Sequence, residues 1–388
     1  MNDLIYLDNG ATSFPKPEEV YSFMDSFYRN YGVNPGRAGY DLSIETGSIV
    51  EDTRKLLTEY FNGTDPNRLI FSLNSTDALN LAISGLLESG DHVITTNIEH
   101  NAVLRPLYHM SLYKGVDVDY VPFNKDGFVD PDDFVSKFKK NTKLVVVNHA
   151  SNVIGTIQPV KEIGQLCRER DIIFLVDASQ TAGKVSIDIK EMNIDIVAFT
   201  GHKSLLGPTG TGGLYVRNGV EIKHTKAGGT GVRSAERHHL AEYPYRLECG
   251  TLNIVGIAGL YAGIKWLMKR GITKVHCHEM ILSKKLVDGI SKIDSVIPYC
   301  QDDLFNHIGV VSFNIDGFEA INTGTVLDGE YNIACRTGLH CAPLVHEQLG
   351  TDKIHGTVRI SFGPFNTEEH VDKAIEAIRE IAENYVKK

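Results

Sequence analysis

Short apolar runs separated by helix-length spacers constrain this chain more than any other feature. The runs lie near Leu69–Leu73, His92–Thr96, Asp117–Val121, Lys143–Asn148, Ile172–Val176, Ile194–Phe199 and Gly213–Val216. Each has the length of a strand, and a near-continuous apolar strand is one covered on both faces. Several spacers are long enough for a crossover helix. The pattern predicts an α/β fold: a mostly parallel seven-stranded sheet with helices on both faces. Ligands of such sheets collect at the carboxyl ends of the strands, and polar residues of this sequence gather there. Ser75-Thr76 follows the first run and opens a helix over 77–88. Glu99-His100-Asn101 follows the second, Asn148-His149-Ala150-Ser151-Asn152 the fourth, Asp177 and Gln180 the fifth, and Thr200, His202 and Lys203 the sixth.

The stretch Thr200-Gly201-His202-Lys203-Ser204 puts a lysine directly after a buried strand. The Gly- and Pro-rich segment that follows, 205–213, is unsuited to a helix. Upstream, Phe174-Leu175-Val176-Asp177 ends another strand on a carboxylate. A lysine and an acid at strand ends are what a pyridoxal phosphate site needs. The amine carries the cofactor as a Schiff base, and the acid keeps the pyridine nitrogen protonated. The lysine has to be partly desolvated so that its amine is neutral and nucleophilic. Asp177 could instead cap a helix, but Lys203 and Gln180 fall in register with it and favour the cofactor. Ser75 and Thr76 sit where a helix begins, so its N–H groups can receive a phosphate; plain capping is the alternative. Thr200 and His202 can add donors. His100 offers a flat imidazole that can stack on a ring and carry a proton.

Two further groups have chemistry in reach. Cys341 follows Arg336 and His340 closely, and positive neighbours stabilise a thiolate. The bland alternative is a buried free cysteine, the reading given to Cys335. Arg359, on a short strand over 357–362, is a candidate clamp for a carboxylate or else a surface salt bridge. His149, His238, His239 and His340 receive no role.

A chain of 388 residues is too long for one compact unit. The expected division is a large cofactor-binding domain over 16–264 and a smaller α+β domain, 1–15 with 265–388, that carries the cysteine loop. Helices are expected over 43–61, 261–270, 276–293 and 367–385, and a strand over 308–315. The net charge of −10 argues against a nucleic-acid surface. No apolar run has the length of a membrane span, and the acidic N-terminus lacks the apolar core of a signal peptide. Six cysteines without a paired framework predict reduced thiols and a cytoplasmic protein. No Cys-x-x-Cys spacing supports a metal site.

With these residues in hand, the chain resembles the cysteine desulfurases of the class V aminotransferase family. The resemblance is to the branch that holds the SUF-type desulfurases and selenocysteine lyases. It runs from Tyr6-Leu7-Asp8-Asn9-Gly10-Ala11-Thr12 to the final helix. Its most specific pieces are Thr200-Gly201-His202-Lys203 with Gly207-Pro208-Thr209-Gly210, and Arg336-Thr337-Gly338-Leu339-His340-Cys341-Ala342. The resemblance implies a pyridoxal-phosphate-dependent transferase of fold type I, built as a homodimer. It implies that Lys203 holds the cofactor, His100 stacks on its ring, Asp177 pairs the pyridine nitrogen and Gln180 the phenolic oxygen. Thr76, Thr200 and His202 are implied to bind the phosphate, with Thr251 reaching in from the other subunit. Asn152, Arg359 and Arg37 are implied to hold the substrate carboxylate or line its entry, with Arg336 beside the cysteine loop. The implied reaction converts L-cysteine to L-alanine, with a persulfide on Cys341 for delivery to a sulfur-acceptor protein. A selenocysteine lyase acting on L-selenocysteine is the alternative within enzymes; a scaffold for a sulfur-relay partner is the alternative outside them. The sequence departs from the family at Asn74-Ser75, where Gly-Thr is frequent, at Leu339, where a polar residue is common, and in a shorter segment over 228–247.

Overall fold

A computed structural model describes residues 4–35, 40–301 and 303–385. In chain order its strands are β1 (Ile5–Tyr6), β2 (Leu69–Ser72), β3 (His92–Thr96), β4 (Asp117–Val121), β5 (Thr142–Asn148), β6 (Ile173–Asp177), β7 (Ile196–Thr200), β8 (Gly212–Val216), β9 (Val296–Pro298), β10 (Val310–Ile315), β11 (Ile333–Ala334), β12 (Arg336–Gly338) and β13 (Thr357–Ser361). The helices are α1 (Glu18–Tyr31), α2 (Asp41–Tyr60), α3 (Ser75–Leu86), α4 (Asn101–Lys114), α5 (Pro131–Val135), α6 (Val160–Arg168), α7 (Ile254–Arg270), α8 (Ile272–Ile290), α9 (Ala320–Tyr331), α10 (Pro343–Leu349) and α11 (Glu368–Tyr385).

The seven expected runs form one sheet in the order β2-β8-β7-β6-β5-β3-β4. Only β8 runs against its neighbours, so the carboxyl ends of β2, β3, β5, β6 and β7 share one edge. Alternate residues serve opposite faces, as the strand period requires. Val145, Val147, Phe174, Val176, Val197 and Phe199 point to one core, which α2, α6 and α7 help to fill. Leu144, Val146, Leu175, Ile196 and Ala198 point to the other, under α3 and α4. Edge strand β4 is the exception, only partly buried, with Asp117 and Asp119 turned out to Lys139. Gly212 permits a close approach at the sheet edge: a Cβ there would lie 2.6 Å from Asn74 Cα and 2.8 Å from Phe199 O. The start of α3 is thereby drawn against the end of β7.

A second, antiparallel sheet has the order β12-β13-β10-β9, and β1 pairs with β11 beside it. Its core unites Leu7, Leu282, Leu286, Phe313, Val358, Ile360 and Ile378. The N-terminal residues thus belong to this smaller core, while α1 packs on α7 of the larger. α7 and α8 part at Gly271 (φ +89°), α7 lying on α1 and α2 and α8 on α11.

Element boundaries fall within a few residues of the sequence expectation, with instructive departures. α3 begins at Ser75, not Asp77, and its cap is Asn74, whose Oδ1 accepts from Asp77 N–H at 2.9 Å. Ser75 and Thr76 are therefore not the capping residues. α7 starts seven residues before the expected 261. Its Gly-rich opening has weak helix propensity but is buried. α9, with two glycines, two threonines and an asparagine, is a poor helix former by composition and is held by burial of Ala320, Thr323 and Leu327. No regular element falls within the described residues 217–253. Among the described residues, no helix is long and apolar enough to cross a membrane.

Candidate active site

A cavity of about 290 Å³ opens at the carboxyl edge of the large sheet, bounded on its far side by β12, β13 and the loop between β12 and α10. Ser75, Thr76, His100, Asn152, Asp177, Gln180, Thr200, His202 and Lys203 line it from the large sheet, and Arg336, Cys341 and Arg359 from the smaller one. Thr251 is not among them: it lines a neighbouring cavity of about 350 Å³ with Ile44, Arg54 and Tyr245. Arg37 lies outside the described residues.

Lys203 follows β7 and lies deep enough that burial lowers its pKa from 10.5 to about 8. Arg359 and Arg336 push it further down, and Asp177 pulls it back. Its amine is partly neutral near physiological pH, the condition for nucleophilic attack on an aldehyde. The segment 12–13 straps the lysine loop from outside. Ser13 Oγ donates to Lys203 O at 3.0 Å, and Thr12 Oγ1 donates to His202 O at 3.0 Å.

Asp177 ends β6, only 2% exposed. Its Oδ1 accepts from Ser179 N–H (3.0 Å), Ser179 Oγ and Ser75 Oγ (3.2 Å). The hydroxyl of Ser75 thus serves the carboxylate, while the phosphate reading at this helix start rests on its backbone N–H groups. All three bonds fall on Oδ1, which leaves Oδ2 for the cavity. Gln180 donates from Nε2 to Gly10 O at 3.0 Å.

His100 caps α4, its Nδ1 accepting from Ala102 N–H at 3.0 Å. That bond assigns the proton of the neutral ring to Nε2. Burial, then Lys203, Arg336, Arg359 and Arg105, pull its pKa down to about 3, so the ring stays neutral. Near the start of α3, Thr200 Oγ1 and His202 Nδ1 are buried without a partner. Such orphans are costly unless a ligand satisfies them.

The opposite end is built around Arg359, which is 1% exposed and so no surface salt bridge. Its Nη2 pairs with Asp8 Oδ1 at 2.6 Å and its Nη1 donates to Asn152 O at 3.0 Å, while its buried Nε has no partner. Asn152 donates from Nδ2 to His340 O at 2.7 Å and keeps an unpartnered Oδ1. Unsatisfied donor and acceptor together suit an amino-acid headgroup. Arg336 Nη2 reaches Cys341 Sγ at 3.5 Å. The thiol of Cys335 is pushed up to about 12 by burial.

Sequence reasoning missed three contributors. Asp8 lay in a quoted motif, but nothing local marks it as the partner of a residue 351 positions away. Ser179, two residues after Asp177, was legible as a turn donor. Glu99 is fully buried, with Oε1 accepting from Thr96 Oγ1 (2.7 Å) and Asn148 N–H (2.9 Å) and Oε2 unpartnered.

These groups fit pyridoxal phosphate: a buried amine of lowered pKa, a buried carboxylate with a spare oxygen, and orphaned donors beside a helix start. Over residues 5–374 the sequence matches the family model described as Aminotransferase class-V. A protein from Methanothermobacter thermautotrophicus named "Probable cysteine desulfurase" is 34% identical over 387 residues, covering 98% of this chain and 96% of the relative. A protein of the same name from Pyrococcus abyssi is 36% identical over 391 residues, covering 98% and 95%. The solved apo cysteine desulfurase from Thermococcus onnurineus superposes with a TM-score of 0.89 at 34% identity, covering 98% of this chain and 95% of that one. The Escherichia coli cysteine desulfurase CsdA superposes at 0.87 with 26% identity, over 98% and 95%. The chain belongs to the class-V aminotransferase family, whose enzymes depend on pyridoxal phosphate.

Proposed function

We propose that this chain is a pyridoxal-phosphate-dependent cysteine desulfurase in which Lys203 holds the cofactor and Cys341 receives the sulfur. One observation carries the reading: a cysteine in contact with a guanidinium lines the same cavity as the buried Lys203, Asp177 and His100. A transaminase has no use for that thiol.

Asp177 would face the pyridine nitrogen, and Gln180 the phenolic oxygen. Thr76, Thr200, His202 and the first N–H groups of α3 would hold the phosphate. When bound, the cofactor supplies an electron sink conjugated to the substrate's Cα. Arg359, with Asn152 lining the entry beside it, orients the substrate by its carboxylate, which fixes its Cα near Lys203. The Lys203 amine, neutral in good part above pH 8, takes the Cα proton. His100, neutral and protonated at Nε2, would lie against the cofactor ring, where it can return a proton.

Sulfur transfer is then a displacement at sulfur. The Cys341 thiolate forms an S–S bond with the substrate sulfur, and the Cβ–S bond breaks with its electron pair on carbon. That carbon takes up a proton and becomes the methyl group of L-alanine. Carbon is reduced by two electrons and the cysteine sulfur is oxidised to the persulfide, so no outside oxidant is needed. The persulfide is delivered to a sulfur-acceptor protein. We assign the large unit to 16–264 and the small to 1–15 with 265–388. The working form is a homodimer in which Thr251 serves the other subunit's phosphate. Exposure of Leu42 and Ile44 beside the Thr251 cavity supports that arrangement.

The test is the Cys341→Ala variant, assayed for alanine from L-cysteine and L-selenocysteine. The reading expects cysteine turnover to fall at least a hundredfold while the visible absorbance of the bound cofactor is kept. Undiminished alanine from cysteine sinks it. Loss on cysteine with retention on selenocysteine marks a selenocysteine lyase.

A further inference from the structure

The turn that carries Cys341 is conformationally unusual. Gly338, His340 and Cys341 all have positive φ, at +99°, +47° and +59°. Glycine enters that region freely, whereas residues with a Cβ do so at a cost. Two consecutive such residues persist only when the surroundings over-determine them, and such strain gathers at working sites. What holds this turn is specific. Asn101 N–H donates to Cys341 O at 2.7 Å, Asn152 Nδ2 to His340 O at 2.7 Å, and Ala342 N–H to Leu339 O at 2.9 Å. Any residue at 340 or 341 would accept those bonds, because they end on the backbone.

One hydrogen bond of the turn depends on the His340 side chain. His340 turns its ring inward, 2% exposed, and its Nε2 lies 2.9 Å from Thr357 Oγ1 on β13. The ring packs against His346, with centroids 5.6 Å apart, and His346 is tied in turn to Thr351 Oγ1 at 2.8 Å. Its neighbour Leu339 is 41% exposed. Burial, followed by Arg359, His346 and Arg336, holds the His340 imidazole well below its ordinary pKa, so the ring is neutral in the working range.

We infer that His340 is the positioning residue of the sulfur-accepting cysteine: its ring, locked to Thr357, fixes the left-handed turn that presents Cys341 Sγ to the cavity. The inference rests on Cys341 being the sulfur acceptor. Arg336 and Thr357 belong to the small sheet, whereas Asn101 and Asn152 follow strands of the large one. The turn is thus pinned from both sides of the cleft, and the ring supplies the side-chain pin. Freed of it, the thiol is still made and still accessible, but it samples orientations unproductive for attack on the substrate sulfur. The loss falls on turnover and not on cysteine binding, since the His340 ring is turned to Thr357 and the carboxylate is assigned to Arg359.

The experiment compares Thr357→Val, Thr357→Ser, His340→Leu and the Val/Leu double variant with the parent and with Cys341→Ala, all in the cofactor-loaded form. Alanine production gives kcat and KM, mass spectrometry follows the Cys341 persulfide, and absorbance checks the cofactor. Thr357→Val is expected to lower kcat about tenfold, the scale of one lost buried hydrogen bond, with KM within about twofold. Thr357→Ser, which keeps the hydroxyl, restores turnover. The double variant is no worse than the poorer single one, as for two halves of one interaction. Parental kcat in Thr357→Val, or additive losses in the double variant, overturns the inference. If one single variant fails to load cofactor, the other carries the kcat comparison. Full activity in Cys341→Ala would instead bring down the sulfur-acceptor reading itself, and the positioning role with it.

Discussion

Asp8 and Arg359, 351 residues apart in the chain, form an ion pair of 2.6 Å at the edge of the cavity. Arg359 is buried and its Asp8 partner about one-fifth exposed. Asp8 is the sole carboxylate on that guanidinium among the described residues, so it fixes which edge of the group faces the cavity. Asp8→Ala is expected to raise KM for cysteine roughly tenfold, the scale of a lost charge-assisted hydrogen bond. kcat should stay within about threefold, because the contact is to a non-reacting carboxylate and is made equally before and during reaction. Steady-state kinetics check it; an unchanged KM with a collapsed kcat would contradict it.

Lys203 gives a prediction about cofactor loading. Its pKa is lowered from 10.5 to about 8, chiefly by burial, and the neutral amine is the attacking species. Stripped protein mixed with pyridoxal phosphate should therefore recover its visible absorbance at a rate that climbs with pH and levels off above a midpoint near 8. A rate still rising steeply at pH 10 would show that the site does not desolvate the amine.

Glu99 gives a prediction about stability. Burial raises its pKa to about 8, with the neighbouring Asp177 adding to the rise and Thr96 and Asn148 opposing it. Because the folded pKa lies above the ordinary 4.5, the stabilisation is full below pH 4.5 and is lost as pH rises through 8. Glu99→Gln is neutral throughout, and its carbonyl can keep both hydrogen bonds of Oε1. The variant should match the parent near pH 5 and exceed it by a few degrees in Tm at pH 8. A Tm gap that stays constant across this range would mean that Glu99 is already ionised in the fold.

The sequence made the large sheet legible because its strands are apolar, short and bounded by polar residues, and because chemistry of this kind collects at strand ends. Lys203, Asp177 and His100 could be read locally for that reason. The small unit was harder. β11 and β12 are two and three residues long, and α9 forms against its own propensity through burial. Arg359 reads from sequence as a carboxylate clamp or a surface salt bridge, and its actual partners, Asp8 and Asn152, are too distant in sequence to decide between the two. His340 was passed over because only the fold sets its ring against Thr357, and a lone histidine beside a cysteine carries no mark of that. Ser75 was legible as a helix-start hydroxyl, but its use on Asp177 depends on the register of β2 against β8 and β7.

Acid is expected to act on the fold through its buried histidines. His100, His149, His202 and His307 are each depressed from the ordinary 6.5, to about 3 for His100 and about 4 for the others, with burial the first cause in every case. A histidine whose folded pKa lies below its unfolded value contributes stability above pH 6.5 that is lost as pH falls toward the folded pKa, since the unfolded chain binds the proton first. Four such groups act together, so the cofactor-free protein should lose Tm steeply between pH 6.5 and 4, well before ordinary carboxylates titrate fully. His149 is the cleanest probe: it lies off the cavity, and its Nδ1 bonds only Thr181 Oγ1 at 2.9 Å. His149→Asn can keep a polar contact to that hydroxyl and has no proton to take up. It should cost some Tm at pH 7.5 through lost packing, but the fall in Tm from pH 6.5 to 4.5 should be visibly shallower than in the parent. Parallel melting curves across that range, with equal slopes in both proteins, would show that the ring is already charged or exposed in the folded state.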